Sequence, residues 1–376
     1  MRRDLLFLST LLPLMGCARN DEADSGDDDD DDDEVEVDVE LAWSADVDGP
    51  TSNGLVSALD FVFVVTDDGK VTGMYADSGD AWWTNTIELV GDLTWMIGGQ
   101  GQDGTLLALP DQNGVSLFQV YGRDETRGWV TLDGGGTWDS ILMEQNVGDV
   151  NYLYEGNSWG YANKCEWTGG CTTHQVDDVA TTAPAGVGQD LLMVTTRRLH
   201  RVTGSDSDDA PFPPPKWSTD IGFAPVHGPV VHDDYAVLSS PRGDLLVVDV
   251  GTGEDVWSFE LGSAMEGSVT VDGGKGLVLA AGDDGVVHAL SLEDGDELWT
   301  YEATAAIVGG VDTRSDEVAV ASVDGMVVVL DIEDGQPIWS YDTGARLLAR
   351  PVMDGSVVVV LDDEGHVFGI EGRAGR

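Results

Sequence analysis

The apolar positions of this chain fall in short runs that stop at glycine. Gly276-Leu-Val-Leu-Ala-Ala-Gly-Asp-Asp is followed at once by Gly285-Val-Val-His-Ala-Leu290, so two apolar stretches meet at an Asp-Gly pair. Asp-Gly accepts the positive φ angles of a tight hairpin, and its place between two such runs signals paired strands. A second turn, Glu293-Asp-Gly-Asp, leads to a strand carrying Trp299, and a further strand follows near Ile307. The pattern predicts units of four short strands and no helix.

The unit repeats. Gly243 to Trp257, Gly285 to Trp299 and Gly325 to Trp339 align without a gap, each tryptophan 14 positions after its glycine, and Gly69 and Trp83 keep the same offset. A spacing of 40 to 42 residues between units indicates a solenoid, a propeller or an array. Trp43, Trp83, Trp129, Trp167, Trp217, Trp257, Trp299 and Trp339 mark eight units. Each ring can bury about 200 Å², so equivalent tryptophans read as packing between units. The two ends are complementary. The last unit, from Gly365, stops before any tryptophan strand, and Val39-Glu-Leu-Ala-Trp43-Ser is a tryptophan strand with none before it. Pairing them closes a ring. The expectation is an all-β closed propeller of eight four-stranded blades over residues 41–376, with the N-terminal strand completing the last blade.

The unit Asp284-Gly285-Val-Val-His-Ala-Leu290 through Trp299 resembles the quinoprotein-type (PQQ-like) propeller repeat. One branch of that family oxidises substrates with PQQ. Another comprises cofactor-free lipoproteins, including the propeller subunit of the outer-membrane barrel-assembly machine. The length, the eight-fold repeat and the N-terminus are closer to the second. The adjacent cysteines of the alcohol-oxidising branch are missing, since Cys165 and Cys171 stand six positions apart. The resemblance implies a non-catalytic scaffold without cofactor or metal, bound to envelope proteins such as the barrel-assembly machinery.

Met1-Arg2-Arg3, the apolar run Leu5–Met15 and then Gly16-Cys17 resemble a lipoprotein signal, with residues 1–16 removed and Cys17 lipidated. Residues 17–40 read as a lipidated, disordered acidic tether, because 14 acids and no base lie in 21–40. Its 23 residues beyond Cys17 reach roughly 75 Å when extended. The expected location is extracytoplasmic, attached to the outer membrane or cell surface through the lipid alone.

Charge narrows the partners. The chain holds 70 acids and 18 bases, a net charge of -52. Beyond residue 40 there remain 55 acids and 15 bases, and only four bases in the chain are lysine. Such a surface repels phosphate, which excludes DNA and RNA, and it reads as adapted to salt. A monomeric propeller is expected.

Candidate chemistry is sparse. Gly156-Asn-Ser158-Trp-Gly160 matches a nucleophile elbow but sits in a strand-rich unit without the required helix. Gly99-Gln-Gly101-Gln-Asp-Gly104 matches a phosphate loop, yet no helix follows it and a hairpin is the better reading. Catalytic, cofactor and metal residues are therefore none. In an exported protein, Cys165 and Cys171 are expected to form a disulfide. Arg197, Arg198 and Arg201 cluster in an otherwise acidic chain, with Phe212 close by in Pro211-Phe-Pro-Pro-Pro215. They read either as local pairing with Asp206, Asp208 and Asp209 or as a partner-binding surface. A PQQ- or metal-dependent oxidoreductase and a surface receptor for glycans or ions stay open as alternatives.

Overall fold

The computed structural model describes residues 37–51, 54–58, 61–86, 97–101, 104–111, 114–121, 125–132, 140–147, 150–156, 161–166, 170–176, 182, 184–188, 190–203, 213–225 and 227–374. Among them every regular element is a strand, and the strands form eight four-stranded antiparallel sheets. The expected all-β propeller is what the structure shows. Seven sheets are simple meanders over residues 55–86, 97–132, 140–175, 185–220, 230–260, 270–302 and 311–342. The eighth joins the two ends of the chain. It holds Val352–Asp354, Val357–Leu361 and His366–Ala374, with Val37–Asp46 as its outermost strand. The first strands of successive sheets touch one another in cyclic order, and that of the eighth returns to that of the first.

The strand sequences match their depth. Second strands such as Phe61–Val65, Leu277–Ala281 and Val357–Leu361 are buried at every residue, because the neighbouring sheets cover both faces. They are accordingly continuous apolar runs. Outermost strands such as Asp255–Glu260, Glu297–Glu302 and Pro337–Asp342 bury only the tryptophan at their third position. Just before it the register slips by one residue, so Val256, Leu298 and Ile338 bulge out unpaired and exposed.

Inward-facing tryptophans lock blades to their neighbours. Trp217, Trp257 and Trp299 donate their indole N–H to the carbonyls of Val250, Leu292 and Ile332 at 3.0, 2.9 and 2.9 Å. Each ring lies on a turn glycine of that same neighbouring blade. At Gly295, with φ of 76°, an added Cβ would stand 2.6 Å from the Trp257 ring, so both the backbone angle and the contact require glycine. Gly253 and Gly335 stand in the same relation to Trp217 and Trp299.

Two expectations change. The propeller begins at Val37, where Val37 opposes Ala374, and not at residue 41. The alternation Val37-Asp-Val39-Glu-Leu41 is a strand pattern hidden inside an acidic run, and Val37 and Val39 pack beside Trp339 and Ile370. Trp167 lies outside the described residues, and the outermost strand of the third sheet, Gly170–Gln175, carries no tryptophan.

Candidate partner-binding groove

A groove of about 840 Å³ opens between the fourth and fifth blades. One wall is the segment Ile221-Gly222-Phe223-Ala224, which follows the outermost strand Trp217–Asp220. The other is the hairpin turn Ser240-Pro241-Arg242-Gly243 with the fifth blade's outermost strand, Asp255–Glu260. Its apolar surface comes from Phe223 and Phe259, both half-buried. Ile221 beneath is 3% exposed and belongs to the core shared by the two blades.

Two arginines stand on the groove, Arg197 and Arg242. Arg197 Nη2 donates to the Gly222 carbonyl at 2.8 Å, which fixes the guanidinium on the wall. Arg242 is held by its backbone, whose N–H donates to Ser240 Oγ at 3.1 Å, while its side chain is exposed. Among the described residues neither forms an ion pair. By contrast Lys70, Arg201, Lys216, Lys275, Arg314, Arg346 and Arg350 each hold a carboxylate. Four acids, Asp220, Asp244, Asp255 and Glu260, also line the groove. Asp220 and Asp244 are occupied by the Gly222 N–H and the Ser240 hydroxyl.

The equivalent groove between the seventh and eighth blades, about 630 Å³, shows the difference. There Arg346 is neutralised by Asp363 at 3.1 Å, and the rest of the lining includes Asp362, Glu364 and His366. Asp362 accepts from His366 Nδ1 at 2.7 Å, and this hydrogen bond, with the aspartate charge, raises the His366 pKa.

The sequence-derived cluster is divided by the fold. Arg197 reaches the groove. Arg198 is exposed on the third strand of the fourth blade, opposite Asp220. Arg201 points elsewhere and is not presented to a partner. Its guanidinium pairs with Asp190 at 2.7 Å and donates to the Val250 carbonyl of the next blade at 2.9 Å. Lys216 and Thr203 complete the cage, each 2.7 Å from the same carboxylate. Burial opposes ionisation of Asp190, but the bonds from Lys216, Thr203 and Arg201 outweigh it and lower its pKa. Phe212 and Cys17 lie outside the described residues, as do Asp206, Asp208 and Asp209. Cys165 and Cys171 oppose each other across a hairpin. Arg242, Phe223 and Phe259 escaped the sequence reading. The available signal was the repeat itself, because Arg242 takes the turn position held by Asp68, Asp284 and Asp324 elsewhere.

The two motif matches are resolved in part. Gly101 opposes Gly104 at the end of a hairpin, so the glycine-rich segment joins strands. Asn157 to Gly160 lie outside the described residues. Among the described residues no group of three or more His, Cys, Asp or Glu is placed to hold a metal ion.

Residues 214–315 and 283–376 match the family model described as outer membrane protein assembly factor BamB. Residues 214–376 carry PQQ-like repeats. The structure of BamB from Moraxella catarrhalis superposes with a TM-score of 0.61 at 19% identity, covering 89% of this chain and 97% of that one. A computationally designed protein, Ika8, superposes with a TM-score of 0.65 at 15% identity, covering 87% and 98%. At these identities the likeness is one of fold. No curated protein sequence matches significantly. The PQQ-like repeats matched by the family model span the fifth to eighth blades, which include the Arg242 wall of the groove.

Proposed function

We propose that this chain is a non-catalytic, lipid-anchored extracytoplasmic scaffold whose groove between the fourth and fifth blades binds an envelope protein during outer-membrane protein assembly. The observation that carries the reading is the pair Arg197 and Arg242, two arginines without a carboxylate partner among the described residues of a strongly acidic propeller. A guanidinium presents a planar fork of donors that suits a carboxylate, and Phe223 and Phe259 offer apolar surface beside it. The family model's description, an outer membrane protein assembly factor, supports the setting.

The groove also has a defined end of the propeller. Val37 lies at one end of the eighth blade and Asp46 at the other, where Asp46 opposes His366 just after a hairpin turn. The turn at Ser240–Gly243 is the counterpart of that turn in the fifth blade. The groove therefore sits at the end of the blades away from Val37.

The test is affinity purification from detergent-solubilised envelopes in high salt after reversible crosslinking. The wild type is expected to bring down a β-barrel assembly protein. The double variant Arg197→Glu/Arg242→Glu is expected to lose it at least tenfold, while Arg346→Glu, in the equivalent groove, keeps it. Equal recovery by the double variant would remove the groove from the reading, and recovery of no envelope protein at all would remove the scaffold.

A further inference from the structure

The third blade departs from the pattern that holds its neighbours together. In six sheets the fourth residue of the third strand opposes the tryptophan of the outermost strand, as Gly73 opposes Trp83, Val247 opposes Trp257 and Val329 opposes Trp339. The second sheet pairs Phe118 with Trp129. In the third sheet the fourth residue of Tyr161–Glu166 is Lys164, and it opposes Thr172. No register slip precedes it, and Gly170–Gln175 contains no tryptophan. The outermost strand of this blade lacks the ring that Trp43, Trp217, Trp257 and Trp299 supply to theirs.

The next register position in the same hairpin pairs Cys165 with Cys171. Directly opposed residues of an antiparallel pair have Cα atoms about 4.5 or 5.5 Å apart, according to the hydrogen-bonding phase. Both values lie within the range of about 4.4–6.8 Å that a disulfide spans. We infer that Cys165 and Cys171 form a cross-strand disulfide that fastens the outermost strand of the third blade in place of the missing tryptophan. The inference rests on the extracytoplasmic location proposed above, because disulfides persist in oxidising compartments. Two thiols are oxidised to one S–S bond, releasing two protons, and the two electrons pass by thiol–disulfide exchange to a disulfide-bearing oxidant, which becomes a dithiol. Among the seven sheets that form meanders, the staple falls in the one whose strand pairing has no tryptophan in this register.

The experiment has two arms. Full-length protein is isolated from envelopes with an alkylating agent present under denaturing conditions, and its peptides are mapped. Cys165 and Cys171 are expected to resist alkylation until reduced, and their linked peptides to weigh two hydrogens less than the dithiol form. Alkylation of both without reduction, in protein shown by protease accessibility to be outside the cytoplasm, overturns the disulfide and leaves the location intact. The second arm treats purified, reduced full-length protein with oxidised glutathione. Formation of the Cys165–Cys171 link supports the geometry wherever the protein resides. Failure to form it, or pairing of either residue with Cys17, overturns it. Hydrogen exchange reads the role. Reduction is expected to speed exchange over Gly170–Gln175 and leave Trp217–Asp220 unchanged, and equal exchange before and after reduction would refute the fastening.

Discussion

Trp43, on the N-terminal strand of the eighth blade, donates its indole N–H to the carbonyl of Ala76 in the first blade at 3.0 Å. Its ring lies on Gly79, where a Cβ would stand 2.2 Å away. One residue thus joins the beginning of the chain to both the last blade, through Gly369 opposite it, and the first. Trp43 is 9% exposed, so most of its surface is packed. Trp43→Ala is expected to cost about 3–5 kcal/mol, as for other buried aromatics cut to alanine. Trp43→Phe, which keeps most of the packing and loses the hydrogen bond, should cost less. Urea unfolding of both variants checks the order, and equal losses would show that the hydrogen bond carries the seam.

Glycine substitutions separate backbone strain from crowding. Gly79 and Gly355 have φ of 69° and 61°, but a Cβ at Gly355 meets nothing within 4 Å. Gly355→Ala is expected to cost about 1 kcal/mol from the backbone angle. Gly79→Ala should cost clearly more, because the Trp43 ring must also move. Thermal unfolding of the pair gives the comparison, and equal shifts would refute the packing of Trp43 on the turn.

Two titrations set opposite pH responses. The Asp362 hydrogen bond raises the His366 pKa above its unfolded value of about 6.5. Its contribution is therefore full below that value and is lost as pH rises through the folded pKa. Asp190 is held low by Lys216, Thr203 and Arg201 against burial. Its contribution is present above the unfolded carboxylate pKa of about 3.9 and is lost as pH falls through the lower folded value. Urea midpoints across pH should show His366→Asn flattening the alkaline side and Asp190→Asn flattening the acid side. A swap of those effects would refute the assignments.

Salt should stabilise this protein. Net charge beyond residue 40 is -40, and the acids repel one another over a screening length of about 10 Å at 0.1 M salt and about 3 Å at 1 M. Calorimetry in rising KCl is expected to show a higher Tm from low salt to 1 M. A Tm that falls or stays level would show that the surface acids are already balanced by the fold.

The propeller was legible in the sequence because its repeat is physical. Trp43, Trp217, Trp257 and Trp299 each need a glycine turn in the neighbouring blade and a hairpin of fixed length behind it, so Gly243, Trp257 and their equivalents cannot drift apart. Val37 was hidden because acids on the exposed face of a strand look like the acids of a tether until the alternating valines are read. The third blade was less legible, because its outermost strand, Gly170–Gln175, carries no tryptophan to mark it. The groove was half legible. A cluster of arginines in an acidic chain stands out, but only the pairing of Arg201 with Asp190 shows which of them is already committed, and Arg242 joins Arg197 only when two blades meet.

The strand Val37–Asp46 leaves the ribosome first among the strands of the propeller, yet its partner His366–Ala374 leaves last. Until then its backbone donors and acceptors have no native neighbour on either side, and contacts of such long sequence separation form late. A chain truncated anywhere before His366 keeps an orphan strand and an incomplete eighth blade. The joint between the two strands is therefore a seam that can be sewn only after both have been made.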